Sequence, residues 1–332
     1  MNVKSRMRLG AGVGALALGL GALAAPAYAD PNPITDYRQL AGVGSDTTQD
    51  VMNAFGDSIT NANGKVIASW DATPTGSTIK TKATCAAIAR PDGSSAGIDA
   101  LRADIAANTH CLDFARSSRG VADTTSTKLT WIPYGRDAVS FAVTSSSTLF
   151  PPRTTPALTT AQLAAIYQCT LTSLNGTPVT PLLPQAGSGT RSFFLGKIGV
   201  AETQVGSCVR TMQEHNGLAL TGAGDIAPYS VAKYIAQTTR VIPDIHGTTV
   251  LGNIDGVAPR DSAGKLNPAF PYARDVYNVV QTSRLSEPVI AATFVGANSA
   301  VCTDPSGLIA KYGFGTPADA CGTVKPALQG ER

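Results

Sequence analysis

The sequence predicts an α/β fold with parallel strands, and two observations carry the prediction. Short β-forming stretches alternate with stretches whose apolar residues fall at helical spacing. Four of the junctions between them share one composition, rich in Ser, Thr and Gly: residues 42–48, 92–97, 116–120 and 187–190. No sequence repeat underlies the recurrence, so what recurs is geometry. In open α/β sheets, ligands collect at the carboxyl ends of strands, where such turns lie.

Residues 36–43 read as a first strand running into Gly42-Val43-Gly44-Ser45-Asp46-Thr47-Thr48. Val51, Met52, Phe55 and Ile59 then mark one face of a helix over 47–59. Asp46 with Gln49 three residues on has the form of a capping box. Residues 64–70 form the next strand. After Asp92-Gly93-Ser94-Ser95-Ala96-Gly97, the positions Ile98, Leu101 and Ile105 line a second helix. A short strand at 112–115 leads to Arg116-Ser117-Ser118-Arg119-Gly120. Residues 137–144 are strongly β-forming, prolines at 151–156 break them off, and 158–167 read as a helix N-capped by Thr159 or Thr160. The proline-rich run 178–184 delivers the chain into Gly187-Ser188-Gly189-Thr190-Arg191-Ser192-Phe193-Phe194, where two glycines free a tight turn and a helix begins. Residues 225–237 end in a helix that Ser230 caps, 259–271 are loop, 277–280 form a returning strand, and 287–294 open a terminal helical region.

The first residues point to export. Lys4, Arg6 and Arg8 precede an apolar run over 9–25, and Ala27-Tyr28-Ala29 supplies a small-x-small cleavage pattern before Asp30. The run is short and glycine-rich for a membrane anchor. The first cysteine is Cys85, far from the position a lipid-anchored chain needs, so a secreted, released protein is expected. Removing the three leader cations leaves 23 of the 26 Lys and Arg against 23 Asp and Glu, a net charge near zero. No basic run with interleaved aromatics appears, which excludes nucleic acid as an expected partner. Six cysteines in an exported chain read as three disulfides. Neighbours in order (Cys85 with Cys111, Cys169 with Cys208, Cys302 with Cys321) are the pairing that spacing suggests, though other connectivities stay open. Each would contribute about 3–4 kcal/mol in the chain-entropy picture. Zinc is disfavoured, since no Cys-x-x-Cys occurs and His110, His215 and His246 are scattered. No other cofactor is indicated.

The Ser/Gly turns admit three chemistries. A helix that starts after such a turn directs free N–H groups and its positive dipole end at one spot, where an oxyanion fits. Gly93-Ser94-Ser95-Ala96-Gly97 also matches the Gly-x-Ser-x-Gly elbow of a serine hydrolase, with Ser95 as nucleophile and Asp225 or Asp244 and His246 downstream. That elbow needs an apolar strand immediately before it, and Ala89-Arg90-Pro91-Asp92 is a turn sequence. In the third reading the turns only cap helices, and the protein is a surface interaction protein without a small ligand. Several turns of one composition, each after a strand, favour the first.

The order of segments resembles the type II periplasmic-binding-protein fold, in particular the phosphate-binding proteins of ABC uptake systems. Gly42-Val43-Gly44, Gly93-Ser94-Ser95, Asp113-Phe114-Ala115-Arg116-Ser117 and Gly187-Ser188-Gly189-Thr190 resemble that family's four loops in order. Residues 158–167 resemble its helix ending in Ile-Tyr, and Ile226-Ala227-Pro228-Tyr229-Ser230 a later block. The resemblance implies two α/β lobes with a ligand cleft between them: 30–135 with 273–332 in one lobe and 136–272 in the other. It implies capture of inorganic phosphate or a related oxyanion without chemistry, as a monomer, either for uptake with an ABC permease at the membrane as partner or, since no lipid anchor is expected, as a free scavenger or secreted phosphate sensor. The expected ligand-binding residues are Ser45, Asp46, Thr47, Ser94, Ser118, Arg119, Ser188, Gly189, Thr190 and Arg191. Three family positions differ: a threonine is Asp46 here, an aspartate is Ser118, and an arginine is Pro184. The counter-charge is therefore expected from Arg116, Arg119 or Arg191, and the missing acceptor from Asp46.

Overall fold

The computed structural model describes residues 30–332, so the leader and its cleavage pattern lie outside the described residues. Ten strands build one curled sheet: β1 (Leu40–Gly44), β2 (Ile67–Ser69), β3 (Phe114–Ser117), β4 (Leu129–Thr144), β5 (Thr180–Pro184), β6 (Arg210–Met212), β7 (Asp225–Ser230), β8 (Thr249–Leu251), β9 (Ala273–Gln281) and β10 (Gln329–Gly330). Their order is β6-β5-β7-β4-β9-β3-β1-β2, with β8 and β10 also paired to β4. The two ends are parallel, β1 with β2 and β3 on one side and β5 with β6 and β7 on the other. The centre is antiparallel, because β4 and β9 run against each other and against their outer neighbours.

The 16-residue strand β4 organises the rest. It pairs with β9 from Leu129 to Ala138 and with β7 from Val139 to Ala142, changing partner midway. The sequence signalled only its second half, because Pro133 and Gly135 interrupt the β-forming pattern of the first. Both residues sit at a register shift opposite Val276 and Tyr277, where a bulge tolerates them.

The helices are α1 (Gln49–Ser58), α2 (Ser94–Ala107), α3 (Thr160–Tyr167), α4 (Gly189–Lys197), α5 (Val231–Thr238), α6 (Pro288–Phe294) and α7 (Leu308–Lys311). Thr159 caps α3 in a full capping box with Gln162, and Ser188 and Ser230 cap α4 and α5 through their hydroxyls. A 3-10 turn over Asp46–Thr48 precedes α1. The box expected of Asp46 and Gln49 is not formed. Gln49 instead accepts from the Ala72 N–H at 2.9 Å, and Asp46 turns to Lys233. The proline-rich run is strand β5, where burial of Leu182 and Leu183 outweighs the donors missing at Pro181 and Pro184.

The apolar clusters divide along the same line as the sheet. One draws its buried residues from 138 to 272, including Phe141, Tyr167, Phe194 and Tyr229. Two others draw on the remainder, Ala232 excepted. The disulfides are Cys85–Cys111, Cys169–Cys208 and Cys302–Cys321, the neighbour pairing that spacing suggested. No helix among the described residues is long and apolar enough to cross a membrane.

Phe194 is fully buried, with its ring 5.1 Å from Tyr167 and 6.3 Å from Tyr272. Phe194→Ala is expected to lower unfolding free energy by about 3–5 kcal/mol, read from denaturant midpoints at unchanged slope.

Candidate functional site

Three of the Ser/Thr/Gly turns and the start of α4 meet at one buried place: two turns leave the parallel neighbours β1 and β3 at their carboxyl ends, α4 follows β5 from the other end of the sheet, and the turn at Ser94 packs between them. Strand β1 ends at Gly44, whose positive φ turns the chain into Ser45-Asp46-Thr47. Strand β3 ends at Ser117 and continues to Ser118; β5 continues to Gly187-Ser188-Gly189-Thr190. The Ser94 Oγ accepts from the Ser118 N–H at 3.0 Å and lies 3.2 Å from its hydroxyl. Gly189 is pressed against both: a Cβ there would lie 2.2 Å from Ser94 Oγ and 2.5 Å from Ser118 Oγ. Only glycine allows the α4 N-terminus this close. Ser188 caps α4 by accepting the Arg191 N–H at 3.1 Å. The N–H groups of Gly189 and Thr190, in the first turn, have no intrahelical acceptor.

The cation at this place is Arg274, on β9. It stands directly opposite Asp137 on β4, and its Nε and Nη2 donate to Asp137 Oδ2 at 3.1 and 2.8 Å. Nη2 also donates to Thr190 Oγ1 at 2.9 Å and reaches Thr47 Oγ1 at 3.3 Å. The other oxygen of Asp137 accepts from the Ser230 hydroxyl and the Ala232 N–H. Arg274 Nη1 is buried with no hydrogen-bond partner, and so is the hydroxyl of Ser45. His215 completes the ring: its Nδ1 accepts the Ser230 N–H at 3.3 Å, so its Nε2 carries the proton and donates to Thr47 Oγ1 at 3.0 Å. Burial, with Lys233 and Arg274 nearby, keeps this imidazole neutral.

Ser45, Thr47, Ser94, Ser118, Ser188, Gly189 and Thr190 are thus brought together. Arg191 and Arg119 are engaged elsewhere. Arg191 pairs with Glu202 on the surface and donates to the Pro184 carbonyl at 3.0 Å; Arg119 holds Ser95 Oγ at 3.1 Å and the Gly120 carbonyl at 3.2 Å. Arg116 is fully buried and clamps the carbonyls of Gly42, Gly44 and Ser45, fixing the first turn. Asp46 bonds Lys233 Nζ at 3.2 Å, and Lys233 also holds Asp50. Burial pushes Asp46 above the usual carboxylate range despite that lysine. Ser95, the candidate nucleophile, meets Arg119 and no histidine among the described residues; His246 is bound to Asp244. Arg274, Asp137, Glu214, His215 and Lys233 were not singled out from the sequence as site residues. Only the helix start at Ser230 gave a signal near any of them.

Glu214 lines the place from the side. One carboxyl oxygen accepts from the Ser188 hydroxyl; the other, Oε1, is buried without a partner, 3.9 Å from His215 Nε2. Asp46, Glu214 and His215 offer ligand atoms within 4.8 Å of one another, close enough for a metal ion. The charges oppose one: His215 Nε2 carries its proton toward Thr47, and Lys233 already occupies Asp46. The arrangement suits an anion among neutral donors and one guanidinium.

Residues 31–294 match the family described as PBP superfamily domain. An ABC-type phosphate transport receptor from Vibrio cholerae aligns with a TM-score of 0.57 at 16% identity, over 84% of this chain and 100% of that one. A putative phosphate ABC transporter substrate-binding protein from Clostridium perfringens, solved with bound phosphate, aligns with a TM-score of 0.57 at 17% identity, over 83% and 98%. At these identities the likeness is one of fold. No curated protein sequence matches.

Burial, reinforced by Asp46 and Asp92 and opposed by Ser188 and Arg274, pushes Glu214 from 4.5 up to about 8. Between those values the folded chain holds a proton that the unfolded chain has released. Glu214 therefore makes stability fall as pH rises from about 5 to 8, by at most about 1.4 kcal/mol per pH unit. Glu214→Gln is expected to flatten that slope in urea unfolding at pH 5, 6, 7 and 8; an unchanged slope would mean that Glu214 is ionised in the fold.

Proposed function

Because the chain belongs to the PBP superfamily, we propose that it is a secreted solute-binding protein that captures phosphate or a related tetrahedral oxyanion. The observation that carries this reading is Arg274 Nη1, a buried guanidinium nitrogen without an acceptor, on the side chain whose Nη2 contacts Thr190 in the first turn of α4 and Thr47, two residues after the unpartnered Ser45 hydroxyl. Leaving such donors dry and unpaired costs about 1–3 kcal/mol each, more for a charged group. An anion at this place satisfies them. Residues 30–135 with 273–332 form one lobe and 136–272 the other, and the lobes close on the ligand. Ser45, Thr47, Ser94 and Ser118 come from the first, Ser188, Gly189 and Thr190 from the second, and Arg274 from the strand that joins them.

Glu214 tunes the choice of anion. Protonated, it donates to any oxyanion; ionised, it accepts only from one that keeps a proton, such as hydrogen phosphate. The partner at the membrane is an ABC permease, as for proteins named as transport receptors in this fold. No step of bond making or breaking is involved.

Calorimetric titration of the full chain with phosphate and with sulfate tests the reading. At least one anion is expected to bind well below millimolar, with Arg274→Met weakening it about 10- to 100-fold and Thr190→Val less, as loss of charged and neutral hydrogen bonds predicts. If no anion binds tighter than about millimolar, or if Arg274→Met leaves affinity unchanged, the proposal fails.

A further inference from the structure

One turn of chain at the start of α5, residues 230–233, holds three parts of the site at once. The Ser230 hydroxyl and the Ala232 N–H bond one oxygen of Asp137, the partner of Arg274. The Ser230 N–H bonds His215 Nδ1, and His215 Nε2 then donates to Thr47 at 3.0 Å. Lys233 gives its own N–H back to the Ser230 hydroxyl at 3.1 Å and sends its ammonium across to the other proposed lobe. There Nζ meets Asp50 Oδ2 at 2.5 Å and Asp46 Oδ1 at 3.2 Å.

This crossing differs in kind from the rest. Arg136–Asp275 and Arg274–Asp137 also join the two lobes, but both lie within the β4–β9 ladder. Beyond that ladder, the ion pairs between the lobes among the described residues are the two made by Lys233. Asp92, another crossing carboxylate, is met by neutral amides, from Gln185 at 2.7 Å and Gln213 at 3.4 Å. The side chains of Lys233 and Asp46 are each 8% exposed. Burial works against the ammonium, yet Asp46 and Asp50 outweigh it and hold Lys233 protonated, above the ordinary lysine range. Buried charges are tolerated while they are paired, so these groups stay dry as long as the lobes meet.

What Lys233 grips is the first loop of the cradle. Asp46 stands between Ser45, whose hydroxyl is unpartnered, and Thr47. Thr47 Oγ1 lies 3.3 Å from Arg274 Nη2 and 3.2 Å from Thr190 Oγ1. Asp50 follows in the first turn of α1. Arg116 fixes the same loop from within its own lobe, through the carbonyls of Gly44 and Ser45. Lys233 fixes it from the opposite lobe, and with its ammonium on two carboxylates it acts through the loop.

Resting on the oxyanion reading above, we infer that Lys233 is a positioning residue for anion retention: its bonds to Asp46 and Asp50 latch the Ser45-Asp46-Thr47 loop against the lobe that carries Thr190, and the anion leaves after this latch opens. The latch is made when the lobes meet and is absent when they part. It therefore acts on release and not on capture.

Calorimetry of the full chain with phosphate and with sulfate, together with release of the radiolabelled anion into excess unlabelled anion, tests this. Lys233→Met is expected to weaken anion binding about 10-fold, with the whole loss in faster release. The association rate, taken as release rate over Kd, is expected to stay within about twofold of the parent's. Asp50→Asn, outside the cradle, is expected to act in the same direction by less, because Asp46 keeps part of the pair. The double variant is expected to lose no more than Lys233→Met alone, since both changes remove one interaction. Should Lys233→Met fail to fold, Asp50→Asn carries the same test. A pair that only stabilises the fold would lower the unfolding free energy in these variants and leave release unchanged; that result refutes the latch and leaves the cradle standing. Losses carried by slower association, or additive losses in the double variant, refute it as well. If the parent chain binds no anion tighter than about millimolar, the oxyanion reading and the latch fall together.

Discussion

The buried pair of Arg274 and Asp137 is the constraint on which the site depends. The two residues face each other across β9 and β4, and both are all but inaccessible to water. A guanidinium in that position without a carboxylate would be an uncompensated buried charge, and breaking such a pair costs about 3–5 kcal/mol. Asp137 neutralises one edge of the guanidinium and is itself held by the Ser230 hydroxyl and the Ala232 N–H at the start of α5. The other edge is left with a free nitrogen. The pair thus carries an unused cationic donor into the interior at a tolerable cost. The Phe193 ring, 5.3 Å from the guanidinium carbon, covers its face.

Proton direction follows from that pair. Arg274 Nη2 donates to the Thr190 hydroxyl, and His215 Nε2 donates to the Thr47 hydroxyl, so both oxygens already act as acceptors. The two hydroxyls are 3.2 Å apart and either can donate to the other. One of their two protons is therefore free to point elsewhere. The Ser230 N–H sets this pattern at a distance by occupying His215 Nδ1. A protonated His215 would have to break that bond, and burial beside Lys233 and Arg274 holds it neutral. The donors around the guanidinium are thus mostly neutral.

Much of this was legible in the sequence, and the boundary is physical. Ser45, Thr47, Ser94, Ser118, Ser188, Gly189 and Thr190 were readable because local turn chemistry puts them where they are. A Ser/Gly turn after a strand and before a helix fixes its own geometry. Arg274, Asp137 and Glu214 were not, because each works through a partner far away in sequence: Asp137 lies 137 residues from Arg274, and Ser188 lies 26 from Glu214. Arg191 illustrates the opposite error. Its place in the first turn of α4 made it a plausible counter-charge, but its backbone position sends the side chain to Glu202 and the Pro184 carbonyl. Likewise, the capping pattern at Asp46 was outcompeted by Lys233, a tertiary partner on α5. The strand β5 was masked by its prolines, whose local preference yields to burial of the leucines between them.

If the two lobes proposed above part, the contacts between the two halves set what parting would cost. Glycine lets backbones meet where side chains would collide: a Cβ on Gly93 would lie 2.5 Å from the Gly187 carbonyl, which accepts the Ser95 N–H at 3.0 Å. The other crossings are polar. Lys233 reaches Asp46 and Asp50, and Gln185 reaches Asp92 at 2.7 Å. The apolar clusters stay within their halves apart from Ala232. Parting the halves therefore exchanges hydrogen bonds with water and exposes little apolar surface, a change worth a few kcal/mol rather than tens. A gap of that size is within what one anion's differential contacts can shift. Arg274 and Asp137 face each other within the ladder of β4 and β9, so in the proposed two-lobe reading their pairing does not depend on the contacts between the halves. Under the proposed two-lobe binding reading, the charge would be in place before closure, and closure would add the hydroxyls and N–H groups.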